Sequence, residues 1–333
     1  MSGPTETGLF RLGDFPLVSG GVLPGAVLSW KSYGTLSPAR DNVVLYPTSY
    51  GARHGDQEWL IGPDGILDPG RWFVVTPDMF CNGLSSSPST TEGWQGLVTA
   101  ADNVFAQRRL LAEVFGVERL HAVYGFSMGA QQAYHWAALC PDQVERAIVV
   151  CGSARTSVHN QVFLRGLMSV LRAAPEYVDD ATFSAEPDRA KRAFGRIYAG
   201  WALSQDFYRA GLHLSALKAP DLETFLVTDW EDRFARRPAA DHMGQLKCWD
   251  AGDIALGGDL AAALGRISAR VLLMPGATDL YFRVADNEAE MPFLRHGVLK
   301  PIPSVWGHRA GNPSACAEDL AFVRGAVREF LEG

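Results

Sequence analysis

The chain has 333 residues, 47 % of them apolar, enough for one large core with an insertion or for two domains, which excludes an intrinsically disordered chain. A charged fraction of 20 % and a formal net charge of −7 exclude a general electrostatic attraction to nucleic acid or to an anionic membrane, and no long Lys/Arg run supplies a local one. Five scattered cysteines (Cys81, Cys140, Cys151, Cys248, Cys316) with no C-x-x-C pair indicate buried free thiols in place of a disulfide or zinc framework.

At the N-terminus, MSGPTETGLFRLGDFPL lacks a basic region followed by an apolar one, and no later run reaches roughly 18 uninterrupted apolar residues. The expectation is a soluble, cytoplasmic protein with no membrane and no nucleic-acid partner. Short apolar runs then recur between helical patterns: NVVLYP (42–47), WFVVTP (72–77), LHAVYG (120–125) and RAIVVCG (146–152). Such uniformly apolar runs predict parallel strands covered on both faces. Residues 99–115 and 128–139 carry helical periodicity between them.

From about 155 to 256 the alternation stops, and NQVFLRGLMSVLRAAP, PDRAKRAFGRIYAGWAL, SQDFYRAGLHL, APDLETFLVTDWEDRFA and ADHMGQLKCWDAGD predict helices with no convincing strand. Strands resume at ARVLLMPG (269–276) and GVLKPIPSV (297–305), and a helix closes the chain. Because both strand sets are needed for one sheet, residues 155–256 are expected as a helical cap inserted in an α/β core of residues 1–154 and 257–333. The cap aromatics Trp201, Phe207, Tyr208, Phe225 and Trp230 are expected mainly as cap core, and Arg53, Arg155 and Arg196 as solvated.

The stretch Gly125-Phe126-Ser127-Met128-Gly129 places one serine between two glycines, after a strand-like and before a helix-like run. A sharp strand-to-helix turn presents such a serine, and glycines relieve the crowding beside it. A serine hydroxyl needs an imidazole to take its proton and an acid to orient that imidazole. In the chain order Ser, acid, His, the partners are Asp279 after ARVLLMPG, with Asp286 the runner-up, and His308 after the last strand. His121 and His135 are expected to be structural, and His296 lies at the wrong edge. The N–H of Met128 and the backbone of Ser49 or Tyr50 in YPTSYG are the candidate donors to an oxyanion. No His/Asp cluster shows metal-ligand spacing, so neither a metal nor a cofactor is expected.

These residues, with Y-G-T at 33–35, Gly62-Pro63, Leu67-Asp68, G-F-S-M-G-A-Q-Q-A at 125–133 and W-D-A-G-D-I at 249–254, resemble the homoserine O-acetyltransferase family of α/β-hydrolases. The resemblance implies an α/β-hydrolase core with a mostly parallel sheet, a helical cap, a Ser-His-Asp triad carrying an acyl-serine, and a homodimer through cap helices. Family transferases carry H-G/A-L-T-G and G-H-D where this chain has Pro47-Thr48-Ser49-Tyr50-Gly51 and Gly307-His308-Arg309. Arg309 as a substrate-binding residue repels the ammonium of homoserine, so that pocket is expected to be lost. The leading expectation is a serine hydrolase of short-chain, acetate-type esters. The alternative is an O-acyltransferase that uses acetyl-CoA as donor and a changed acceptor. A non-enzymatic hydrolase fold is disfavoured, because it has no use for the three triad residues together.

Overall fold

The protein is described by a computed structural model covering residues 3–333. Strands β1 (Thr5–Pro16) and β2 (Val22–Tyr33) open the chain, followed by β3 (Val43–Leu45), β4 (Phe73–Pro77), α1 (Ala100–Phe115), β5 (Ala122–Phe126), α2 (Met128–Leu139) and β6 (Arg146–Val150). The interposed block comprises α3 (Val158–Arg172), β7 (Tyr177–Asp179), β8 (Thr182–Phe183), α4 (Asp188–Ala202), α5 (Gln205–Arg209), α6 (Leu212–Ser215), α7 (Leu222–Phe225), a π-helical turn (Leu226–Glu231), α8 (Asp232–Ala235) and α9 (Ala239–Asp250). Then come α10 (Leu260–Gly265), β9 (Arg270–Met274), α11 (Val284–Glu290), β10 (Gly297–Leu299) and α12 (Ala317–Glu332). Among these described residues no helix is long and apolar enough to cross a membrane.

Eight strands form one sheet in the order β1-β2-β4-β3-β5-β6-β9-β10. The pairs from β4 to β10 are parallel, whereas β1-β2 and β2-β4 are antiparallel. Successive side chains along a strand point to opposite faces. Val44, Tyr124, Ile148 and Leu272 therefore join the core shared with the interposed block and α12, while Val43, Leu45, Val123, Val149 and Leu273 join the core under α1 and α2. Helix α2, directly behind Ser127, is buried along its length up to Ala138, which fixes it against the sheet.

Three departures from the sequence expectation have physical reasons. The long β1-β2 hairpin was not anticipated: β1 is mostly exposed, and its register shifts around Gly13, so no clean alternation marks it. The interposed block does contain strands. Strands β7 and β8 pair as a hairpin with the Tyr177 and Phe183 rings 5.6 Å apart, but they are too short to show a period. Helices α10 and α11, of six and seven residues, were likewise not anticipated. Where the chain leaves and re-enters the core, Arg155 and Asp253 form an isolated antiparallel bridge and an ion pair of 3.0 Å.

Candidate active site

Ser127 sits between β5 and α2 with φ 58° and ψ −125°, a strained backbone for a residue with a side chain. The glycines on either side explain how the turn closes. A Cβ on Gly125 would lie 2.1 Å from the Gly129 carbonyl oxygen, and one on Gly129 would lie 2.7 Å from that of Pro47. Neither obstacle is a flexible side-chain end. The turn brings β5, α2 and the Pro47–Gly51 loop into backbone contact around one hydroxyl.

That hydroxyl lies 2.8 Å from His308 Nε2. His308 Nδ1 lies 2.6 Å from Asp279 Oδ2; a carboxylate only accepts, so Nδ1 carries the proton and Nε2 is free to accept from Ser127. The other carboxylate oxygen, Oδ1, accepts the N–H groups of Tyr281 at 2.7 Å and Phe282 at 3.3 Å, which fixes the plane of the acid. The rings of Phe126 and Tyr281, each 4.7 Å from the imidazole, hold His308 from two sides. All three polar residues are buried. Asp286 instead accepts the Arg283 N–H at the start of α11. His121 donates to the Leu331 carbonyl at 2.9 Å and His135 to that of Gln131 at 2.7 Å, both structural roles.

Sequence reasoning treated Cys151 only as a buried thiol. Its sulfur shares a cluster with donor atoms of Asp279 and His308, all within 4.8 Å of one another. Burial, with the Asp279 carboxylate adding to it, raises the Cys151 thiol well above its ordinary range, so it stays protonated and does not compete as a nucleophile. All five cysteines are free.

Opposite the serine, the Pro47–Gly51 loop is held at nearly every residue. The Pro47 carbonyl faces Gln57 Nε2, Thr48 Oγ1 accepts the Met79 N–H at 2.8 Å, and Gln132 donates to the Thr48 carbonyl at 3.0 Å. The Ser49 hydroxyl donates to the Phe126 carbonyl, tying the loop to the residue before Ser127. Gly51 N–H is committed to Gln245 Oε1 at 2.8 Å, whereas the Ser49 and Tyr50 amides have no acceptor among the described residues. Met128 opens α2, where the first turn leaves its N–H without an intrahelical acceptor.

Just past that loop in the chain, His54 meets fully buried Asp78, which accepts from His54 Nδ1 at 2.7 Å, the His54 N–H at 2.9 Å, Asn82 at 2.8 Å and Ser29 at 2.9 Å. The hydrogen bond to Asp78 raises the pKa of His54, with burial opposing. Because the folded-state value lies above the ordinary one, this contribution is full below the usual histidine pKa and fades as pH rises through the raised value. The expected result is that His54→Gln lowers the melting temperature by more at about pH 5.5 than at about pH 8.5, by roughly a few degrees at the lower pH. Thermal melts of both proteins at the two pH values check this, and an equal loss at both would contradict it.

Ser127 and His308 open into a cavity of about 350 Å³ roofed by α4, α8 and the π-helical turn. Part of its lining is aromatic and buried, formed by Tyr50, Tyr198, Phe234 and His242. The lining also carries Arg233, Arg237 and Arg309 with Asp229. Arg309 stacks on Trp230 at 4.8 Å from the ring centroid and lies 4.0 Å from Asp229 Oδ1. Burial first, and then Arg233, lower its pKa to about 10, which leaves it charged at neutral pH. Trp230 thus lines the cavity, whereas Phe207 and Phe225 are fully buried. Arg155 and Arg196 are not simply solvated: Arg155 pairs with Asp253, and Arg196 with Glu223 and Glu231. Tyr198, Phe234, His242, Arg233 and Arg237 were missed from sequence, since helical spacing does not say which face of a cap helix meets a cavity.

Comparison with known proteins gives a consistent picture. A family model described as alpha/beta hydrolase fold matches residues 43–300. An ethyl acetate hydrolase of Pseudomonas veronii is 34 % identical over 319 residues, 92 % of this chain and 89 % of that protein. The solved structure of an acetylester hydrolase from Corynebacterium glutamicum superposes with a TM-score of 0.92 at 31 % identity, covering 99 % of this chain and 96 % of that one. A homoserine O-acetyltransferase of Leifsonia xyli subsp. xyli is similar at 27 % identity over 356 residues, 96 % of this chain and 88 % of that protein.

Proposed function

The chain belongs to the alpha/beta hydrolase family, and within it we propose a serine ester hydrolase acting through an acyl-enzyme on short-chain, acetate-type carboxylic esters. The observation that carries this reading is the unbroken run of hydrogen bonds from Asp279 through His308 to Ser127, facing a cavity under the cap. Ser127 Oγ attacks the ester carbonyl carbon while its proton passes to His308 Nε2, and Asp279 stays ionised to hold the resulting imidazolium. The developing oxyanion is received by the N–H of Met128 and an N–H of Ser49 or Tyr50, each such donor being worth roughly 10²–10³ in rate. The carbon–oxygen bond to the alcohol then breaks, and His308 gives its proton to the departing alcohol. Water, deprotonated by His308, attacks the acyl-serine; the second tetrahedral intermediate collapses to the acid and restores the Ser127 hydroxyl.

Acyl transfer from acetyl-CoA to an alcohol shares the first half-reaction. Arg309 and Arg233 on the cavity wall disfavour homoserine as that alcohol, because its ammonium meets two guanidinium groups against the Asp229 carboxylate, Arg237 being paired with Asp56. The reading is tested with p-nitrophenyl acetate and acetyl-CoA, each with and without homoserine. The expected result is ester cleavage to free acetate, unaffected by homoserine, with acetyl-CoA inert. Consumption of acetyl-CoA only when an alcohol is present would make the protein a transferase.

A further inference from the structure

We infer that the side chain of Tyr50 sets the acyl-chain limit of this site: its ring stops the buried part of the cavity, so acyl groups longer than a few carbons are excluded. This rests on the esterase reading and concerns the half of the substrate that stays on Ser127.

The residues lining the cavity differ in exposure. Tyr50, Tyr198, Phe234 and His242 are 8 %, 8 %, 5 % and 2 % exposed, whereas Arg233, Ser314 and Ala315, which also line it, are exposed. In an acyl-enzyme reaction the alcohol must leave and water must enter while the acyl group remains covalently held. The exposed part suits the alcohol, which assigns the acyl chain to the buried, aromatic part. Tyr50 is placed to end that chain, because it belongs to the loop whose backbone faces the oxyanion.

The ring cannot swing away without breaking several contacts. His242 Nε2 faces the Phe234 carbonyl at 3.0 Å and must donate to it, so Nδ1 is the acceptor for the Tyr50 hydroxyl at 3.1 Å. The imidazole is kept neutral by burial, which lowers its pKa to about 4. The Tyr50 ring stacks on Tyr198 and on His242, each with centroids 5.8 Å apart, and lies 5.9 Å from Trp249. Its own loop is pinned at the next residue by the Gly51 to Gln245 hydrogen bond. The plug is therefore rigid, and chain length is selected by volume.

The test measures kcat/KM on p-nitrophenyl acetate, butyrate and octanoate for the wild type, Tyr50→Ala, Tyr50→Leu and Tyr50→Phe. The wild type is expected to prefer acetate to butyrate by roughly tenfold or more, in the range that a small change of chain length produces in a close pocket. Tyr50→Ala and Tyr50→Leu are expected to raise the butyrate-to-acetate ratio by at least about tenfold and to admit octanoate. Tyr50→Phe keeps the ring and is expected to keep the wild-type ratio, so a shift there as large as that of Tyr50→Leu would overturn the assignment to volume. If circular dichroism shows Tyr50→Ala unfolded, Tyr50→Leu carries the test. A truncated variant that cleaves acetate with an unchanged ratio overturns the inference. Absence of Ser127-dependent acetate cleavage in the wild type overturns the esterase reading instead.

Discussion

Replacing Ser127 with alanine is expected to lower kcat for acetate-ester cleavage by roughly 10⁴–10⁶-fold, with the fold retained. The size of the effect follows from what the oxygen does. In the proposed reaction it forms the covalent bond to the acyl group, and among the described residues it is the only partner of His308 Nε2, so its removal leaves a base with nothing to deprotonate but water. Stability is spared because the strain of the turn resides in the backbone at φ 58°, which alanine inherits unchanged, and the flanking glycines still relieve the contacts around it. A spectrophotometric assay on p-nitrophenyl acetate, paired with a thermal melt, separates these two parts. Turnover within tenfold of wild type, well short of the expected loss, would remove Ser127 as nucleophile.

Asp279→Asn is expected to cost roughly 10⁴-fold in kcat although it changes a single atom. Asp279 Oδ1 accepts two backbone N–H groups, from Tyr281 and Phe282, so an asparagine must place its amide oxygen there. Its NH₂ then faces His308 Nδ1, which can only accept, and the ring proton moves to Nε2, pointing at Ser127. The base is thereby held in the tautomer that cannot take the serine proton. The geometry survives and the chemistry does not. Single-turnover kinetics on the variant check this, and a loss of less than about tenfold would show that Asp279 does not select the tautomer.

The hydrogen-bonded residues Ser127, His308 and Asp279 were legible in the sequence because each is bound to a local feature that letters record. Gly125 and Gly129 are glycines because the backbones they meet, Gly129 O and Pro47 O, leave no room for a Cβ. Asp279 and His308 each follow a short apolar strand-like run, and the place of Asp279 in the loop directly after ARVLLMPG set it ahead of Asp286. The parallel strands from β3 to β9 were legible for the same reason, being apolar along their length. What stayed hidden depends on long-range placement. The His54–Asp78 pair spans 24 residues, and nothing near either one announces the other. Cys151 meets Asp279 only because β6 and β9 are neighbours in the sheet. Arg233, Arg237, Tyr198 and His242 sit on cap helices whose periodicity is satisfied equally by core and by cavity. Strand β1 lies at the sheet edge with its exposed face broken by glycine, so its pairing with β2 left no alternating pattern.

The most direct test of the account is to mix the wild type with excess p-nitrophenyl acetate, quench within the first turnover at low pH, and map acetyl groups by peptide mass spectrometry. The result predicted is one acetyl group on the peptide holding Ser127, appearing with the burst of nitrophenol and absent from Ser127→Ala. Full turnover with no acetylated peptide, or with the acetyl group on another residue, would contradict it.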